Sequence, residues 1–327
     1  MDSVVHMLAQ RQRRNRLWLI GLGLLALALM GAYLFLNIYP GQWNYAFPRR
    51  LIKVGAVLLA GLGVGISSLL FQTITNNRIL TPAIVGFDAL YLLLQGVVIY
   101  SFSALGSHVM GDIPYFLINV LLMVIFAEVL FKFLFGREQS YLYFVLLAGV
   151  VCGVLFRSVF SFFTMLLDPN EFDLLQTKMY ANFNSIPSDL IALSAVMILG
   201  VLAYGWRHRR EFDVLLLGKE NAHNLGIDTD GLQHRILRVI SILVAVSTAL
   251  VGPITFLGLL VVNIVYQLMH TYRHSYLMIG TIFISWIALF FGLLMVERVF
   301  DFTTNLTVII NGVGGTYFLY LLMKGGR

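Results

Sequence analysis

Charged residues are scarce in this chain of 327 residues. Asp, Glu, Lys and Arg together make up 12% of it, while hydrophobic residues make up 59% and the mean hydropathy is +0.85. Water-soluble proteins carry about 25% charged residues. The composition therefore excludes a soluble globular domain and predicts a protein that is embedded in lipid.

Residues that carry out chemistry are also sparse. The single cysteine, Cys152, excludes an intrachain disulfide and disfavours a thiolate metal site. The chain has no Gly-x-x-x-x-Gly-Lys-Ser/Thr motif, so we expect any ATP to be hydrolysed by another subunit. No His-Glu-x-x-His pair occurs, and we predict no metal site, no cofactor and no catalytic residue. The histidines in or beside loops are expected to be solvated: His208, His223, His234, His270 and His274.

Carboxylates are rare within the apolar stretches, where Asp88 and Glu128 are the main ones. Proton-coupled transporters and membrane proteases place acidic or histidine groups deep in their spans. The scarcity of such groups disfavours a proton-coupled transporter and a membrane protease, but it does not exclude either class.

Long apolar runs dominate the chain, and a membrane helix needs about twenty such residues. They predict an all-α polytopic membrane protein of about ten transmembrane helices. Residues 1–16 form a predicted cytoplasmic segment without a cleavable signal, and residues 17–327 form one transmembrane domain. The expected spans are Leu17–Ile38, Leu51–Phe71, Ala83–Phe102, Ile113–Phe135, Tyr141–Leu166, Pro187–Tyr204, Arg235–Val251, the shorter Thr255–Met269, Tyr276–Val296 and Leu306–Met323.

The basic residues give the orientation. The net charge of +6 comes mostly from Lys and Arg in loops on one side of this layout, including the cluster of arginines between residues 11 and 16. Such loops are cytoplasmic in membrane proteins. Both termini are therefore expected in the cytoplasm, and the charge indicates topology rather than nucleic-acid binding.

Four arginines depart from that pattern. Arg49, Arg50 and Arg298 fall on the outer side, where the bias disfavours basic groups, so they bind either a partner or lipid phosphates. Arg157 lies within the fifth span, where a charge costs about 3 kcal/mol and normally faces a cavity or a partner. It either attracts an anionic substrate or packs between helices.

The polar stretch 211–228 lies between the sixth and seventh spans. Its apolar residues fall on a stripe at helical spacing, and Gly218 and Gly226 bracket a short helix that is too polar to cross a bilayer. Such a helix either lies on the membrane surface or inserts into a groove on a soluble partner. The stripe consists of Leu215, Leu216, Leu217, Ala222 and Leu225.

Several motifs together resemble the FecCD family of ABC transporter permeases, which import iron chelates and cobalamin. The order Leu-Leu-Leu-Gly-Lys-Glu-Asn-Ala at 215–222 is similar to the coupling helix of that family. The other matches are Phe-Pro-Arg-Arg at 47–50, Asn-Asn-Arg-Ile-Leu-Thr-Pro at 76–82, Gly-Pro-Ile-Thr-Phe-Leu-Gly-Leu at 252–259, and Val-Glu-Arg-Val at 296–299. Val262 and Asn263 replace the Pro-His pair usual in the family, which puts the role of that histidine in doubt.

The resemblance implies a permease subunit of an ATP-driven importer in the bacterial inner membrane, and the 76–82 motif implies the ferric catecholate siderophore branch. The expected partners are a cytoplasmic ATPase dimer, a second permease, a periplasmic siderophore-binding protein and membrane lipid, with no nucleic acid. In the catecholate branch the second permease is a different, homologous chain that forms a heterodimer, and a homodimer, as for cobalamin, is the alternative. An ion-driven secondary transporter and a permease for cobalamin or haem are the alternatives.

The same resemblance assigns roles to residues. It implies that Arg49, Arg50 and Arg298 dock the binding protein and, through Leu-Leu-Gln-x-x-Met-Tyr at 174–180, that Gln176 and Met179 line the translocation path. Arg157 is added to the path residues because its charge could attract an anionic chelate, and Glu297 is expected to hold Arg298. The residues that would contact the ATPase are Gly218, Lys219, Glu220, Ala222, Leu225 and Gly226.

Overall fold

The computed structural model describes residues 2–36, 43–104, 111–135 and 142–325, and all regular secondary structure in these ranges is helical. Seven helices are candidate membrane spans by length and composition: α1 (Asp2–Phe35), α2 (Trp43–Thr75), α4 (Asp112–Phe135), α5 (Leu142–Leu166), α7 (Ser188–Arg207), α10 (Thr229–Val251) and α12 (His274–Arg298). The others are α3 (Phe87–Ala104), α6 (Pro169–Lys178), α8 (Arg209–Leu215), α9 (Lys219–Asn224), α11 (Leu257–Leu268) and α13 (Leu306–Gly325).

The expected spans are confirmed as helices. The seven long helices are apolar enough to cross a membrane, and the shorter apolar helices α3, α11 and α13 correspond to the third, eighth and tenth spans. The expected ends of spans at Ile38 and Tyr141, and the C-terminal Arg327, lie outside the described residues. The expected N-terminal segment is helical from Asp2 onward and continuous with the first span, so the division at residue 16 stays a prediction.

Helices α2 and α10 form the centre of the bundle. Both are buried along most of their length, because α2 packs against α10, α12, α11 and α7 while α10 also packs against α4. A Cβ on Gly63 would overlap the hydroxyl of Ser247 on α10. Small residues allow membrane helices to approach closely, and this contact requires one.

A second close contact joins α2 to α12. A Cβ on Gly61 would lie 2.9 Å from the Trp286 ring, and a Cβ on Gly65 would overlap the Ser285 hydroxyl. The Trp286 indole N–H donates to the Leu58 carbonyl at 3.0 Å. The glycines of α2 therefore serve close helix packing.

Two helices begin inside the bundle after non-helical backbone. Helix α11 has 12 residues and, at about 1.5 Å per residue, reaches about 18 Å, well short of a hydrocarbon core of about 30 Å. It follows Gly252, which has φ 94° and a Cβ position 2.8 Å from the Tyr180 carbonyl oxygen. Helix α3 begins at Phe87 after Gly86, with φ 105°, rather than at the expected Ala83.

Candidate functional site

The polar segment between α7 and α10 folds into two short helices, α8 and α9. Gly218 and Gly226 have φ values of 97° and 83°, which favour glycine, and they flank α9 as the sequence predicts. Lys219 is the first residue of α9 and Glu220, the second, is exposed. The segment turns at Gly218, so the apolar stripe is not one continuous face.

Burial divides that stripe into two sets. The side chains of Leu215 and Ala222 are buried, and Ala222 is 0% exposed. Leu217 and Leu225 are 58% and 64% exposed. The Ala222 side chain packs internally and does not reach the surface of the segment. The expected role of Ala222 in coupling to a partner stays a prediction. Leu217 and Leu225 form the apolar surface that the segment presents outward.

A buried histidine anchors α8 to the bundle. The ring of His274, the first residue of α12, is fully buried and lies 5.6 Å from the Phe212 ring. Its Nδ1 is 2.8 Å from Asp213 Oδ1, and its backbone N–H donates to the same oxygen at 2.5 Å. Its Nε2 is 2.9 Å from the hydroxyl of Thr73 on α2.

The expectation that His274 is solvated is therefore wrong. The stretch from His270 to His274 contains two histidines, and only the second becomes the start of a packed helix. The sequence gives no signal that separates them, because the carboxylate that binds His274 is 61 residues away in the chain.

The three outer arginines have different surroundings. Arg49 is exposed, and its guanidinium lies 4.1 Å above the Tyr45 ring. Arg50 donates to the carbonyls of Tyr33 and Leu36, each at 2.8 Å. Arg50 therefore satisfies carbonyls that the end of α1 leaves without a helical partner.

Arg298, at the end of α12, joins the same cluster and donates from Nη2 to the Leu36 carbonyl at 3.0 Å. Glu297 was expected to hold Arg298. Instead its carboxylate accepts a hydrogen bond from the Tyr33 hydroxyl at 2.8 Å and lies 3.7 Å from the Lys53 ammonium. The structure thus brings Arg50 and Arg298 together at the end of α1, with Arg49 beside them on α2.

The expected path residues are not brought together into one site. Gln176, on α6, is exposed and lines an outer cavity of about 360 Å³ together with Asn184, Glu297 and Asn305. Met179 is half-buried just after α6, and Arg157 is exposed on α5 and does not line this cavity. Their role in transport stays a prediction.

The lysine at the end of α6 has a pKa that its surroundings shift. Lys178 ends α6, and its ammonium lies 5.7 Å from the centre of the Tyr115 ring. Partial removal from water lowers the pKa of Lys178 from its usual value, while the nearby carboxylate of Asp112 acts in the opposite direction.

Two carboxylates, Asp88 and Glu128, lie within the apolar stretches of the sequence. Asp88, near the start of α3, is buried, and Glu128 on α4 is half-buried. Asp88 is 7% exposed and lies beside Thr255, and its Oδ2 has no hydrogen-bond partner among the described residues.

Comparison with known proteins gives concordant matches. The model of the FecCD transport family matches residues 9–324. The petrobactin import system permease protein YclO of Bacillus subtilis is 50% identical over 96% of this chain and 99% of its own length. The petrobactin import system permease protein FatC of Bacillus anthracis is 30% identical over 96% of this chain and 90% of its own length.

A solved structure shares the fold. A metal-chelate type ABC transporter in an inward-facing conformation superposes with a TM-score of 0.82 and 19% identity, covering 95% of this chain and 99% of that one. The polytopic all-helical architecture expected from the sequence is thereby confirmed.

Proposed function

The chain belongs to the FecCD transport family, and from this membership we propose that it is the permease subunit of an ATP-driven importer for a ferric siderophore. The observation that carries the proposal is the 50% identity, over nearly the whole of both chains, to a petrobactin import permease. Petrobactin is a catecholate siderophore, which agrees with the branch that the motif at 76–82 implies. Petrobactin is therefore the first cargo to test.

The chain is a multi-pass membrane protein, and we place it in the bacterial inner membrane with both termini in the cytoplasm. The arginines between residues 11 and 16 precede the apolar part of α1 and support this orientation. In this orientation α8 and α9 lie on the cytoplasmic side. The cluster of Arg49, Arg50 and Arg298 lies on the periplasmic side.

The partners follow from this arrangement. An ATPase dimer binds the exposed Leu217 and Leu225 of the coupling segment, defined here as residues 209–226, which comprise α8, α9 and the turns that follow them. A periplasmic binding protein delivers the cargo to the outer arginines. A second, homologous permease completes the pore. The apolar face of α5, with Val151, Leu155 and Phe162 exposed, is available to contact either this second permease or lipid. Iron stays bound to its chelator, so the chain itself needs no cofactor.

The test is uptake of radiolabelled ferric petrobactin by cells that lack their own petrobactin importers and express this chain with its genomic neighbours. We expect uptake to require ATP and to continue when an ionophore collapses the ion gradients. Uptake that stops with the ionophore and persists without the ATPase would indicate a secondary transporter instead. Uptake of cobalamin or haem in place of the siderophore would assign the other cargo.

A further inference from the structure

A second cavity lies on the inner side of the bundle, away from the outer arginines and from Arg157. Its volume is about 770 Å³, which is within the range of about 300–1,000 Å³ for small-molecule sites. It is formed where the turn after α2, the turn between α8 and α9 and the chain after α11 meet. The cavity thus borders the coupling segment directly, through Leu216.

The wall of this inner cavity suits an aromatic anion. Among the residues that the structure describes, no aspartate or glutamate lines it, whereas Arg78 and His270 do. The Arg78 guanidinium lies 4.8 Å above the Tyr266 ring, and Tyr272 adds an exposed second ring. Cationic and aromatic groups together bind flat, electron-rich anions by charge and by stacking.

A buried amide in the wall has unmet hydrogen-bonding capacity. Gln72 is 2% exposed, and neither its Oε1 nor its Nε2 has a hydrogen-bond partner among the described residues. Buried polar groups nearly always have a partner, because leaving one unpaired costs free energy. A ligand in the cavity would supply that partner, and the turn at Asn76 and Asn77 adds further amide groups beside it.

The cavity is also connected to the anchor of α8. The Tyr266 hydroxyl lies beside Thr73. The Thr73 hydroxyl lies 2.9 Å from His274 Nε2, and His274 Nδ1 lies 2.8 Å from Asp213 Oδ1. A ligand that fixes Tyr266 therefore acts on the same group that fixes the coupling segment.

We propose that this inner cavity binds the ferric catecholate from the cytoplasmic side and that its occupancy restrains the coupling segment, so that accumulated cargo slows further import. The inference rests on the proposed function for the chemical class of the cargo. The ligand is recognised by Arg78, His270 and the two tyrosine rings, and it satisfies Gln72.

The probe is the ferric complex of 2,3-dihydroxybenzoate, titrated onto the importer reconstituted in vesicles with its ATPase outside. Binding is measured by quenching of protein fluorescence, and ATP hydrolysis is measured in the same vesicles. We expect saturable binding that Arg78→Gln weakens about tenfold, because a charge-assisted contact is lost, and that Gln72→Met weakens about threefold. ATP hydrolysis should fall as the cavity fills in the wild type and fall less in Arg78→Gln.

The control is Arg207→Gln, which removes the same charge from an exposed position at the end of α7, outside the cavity. Binding that changes equally in Arg78→Gln and Arg207→Gln would overturn the site. If inorganic phosphate displaced the ferric complex as well as unlabelled complex does, the site would not be selective for an aromatic anion. If the complex bound without lowering ATP hydrolysis, the proposed restraint of the coupling segment would be wrong. Because Gln72 loses no partner in Gln72→Met, unchanged thermal unfolding of that variant separates a binding defect from misfolding.

Uptake of ferric chelate delivered to the periplasmic side separates the two proposals. Normal uptake with no binding at the inner cavity rejects only the present inference. Absence of both uptake and binding rejects the proposed function itself.

Discussion

The outer and inner ends of the bundle present opposite kinds of surface. At the outer end, Arg50 and Arg298 donate to carbonyls at the end of α1, so much of their hydrogen-bonding capacity is used within the chain. At the inner end, Asp213 of α8 binds the buried His274, while Leu217 and Leu225 are exposed to solvent. A partner at the inner end gains apolar burial, whereas one at the outer end must share arginines that already support the fold.

The largest effect on stability is expected from the buried apolar residues of the coupling segment, and the exposed ones are expected to affect only binding of the ATPase. Ala222→Glu places a carboxylate in a fully buried position, and we expect it to lower the free energy of unfolding by about 3 kcal/mol. Leu225→Glu changes an exposed side chain and should leave thermal unfolding unchanged while removing the ATPase from a mild-detergent pull-down. Retention of the ATPase by Leu225→Glu would contradict the proposed docking surface.

The next effect concerns the anchor of α8. His274→Ala removes the ring contacts to Asp213 and Thr73 and leaves only the backbone N–H of residue 274 to hold Asp213, so we expect a loss of about 2 kcal/mol in unfolding free energy and weaker coupling of ATP hydrolysis to transport. His234→Ala, at an exposed position on α10, is the matched control. The comparison is made by thermal unfolding in detergent and by uptake per ATP hydrolysed. Equal behaviour of the two variants would mean that His274 does not anchor the coupling segment.

A smaller effect distinguishes structural from docking arginines at the outer end. Arg50→Met removes the donors to α1 and should cost about 1 kcal/mol of stability, whereas Arg49→Met should cost none, since Arg49 only stacks on Tyr45. For capture of the loaded binding protein, measured by surface plasmon resonance, we expect Arg298→Glu to have the greatest effect. Unchanged affinity in Arg298→Glu and Arg49→Met would remove the docking assignment.

The smallest effect is expected at Glu297. Glu297→Gln keeps an oxygen that can accept from the Tyr33 hydroxyl and loses only the charge attraction to Lys53, whose side chain is 19% exposed. Such an ion pair contributes below about 1 kcal/mol. A large drop in the melting temperature of this variant would show that the outer cluster depends on the charge of Glu297.

The sequence located the coupling segment but did not separate its buried side chains from its exposed ones. Helical spacing groups Ala222 with Leu225, and both are apolar, so periodicity assigns them the same role. The turn at Gly218 divides the segment, and packing against the bundle then buries Ala222 and leaves Leu225 outside. Similarly, motif matching identified Arg50 and Arg298 without the carbonyls of α1 that they bind, which are 14 to 262 residues away in the chain.

The sequence by itself determined the class of protein, the ten apolar helices and the family, because hydropathy and motif order are properties of contiguous residues. It also located the short helix between Gly218 and Gly226. The tertiary structure alone decided that His274 is buried, that Glu297 pairs with Lys53 rather than Arg298, and that Gln72 faces a cavity beside the coupling segment. These outcomes depend on which distant helices meet, and local sequence does not encode that directly.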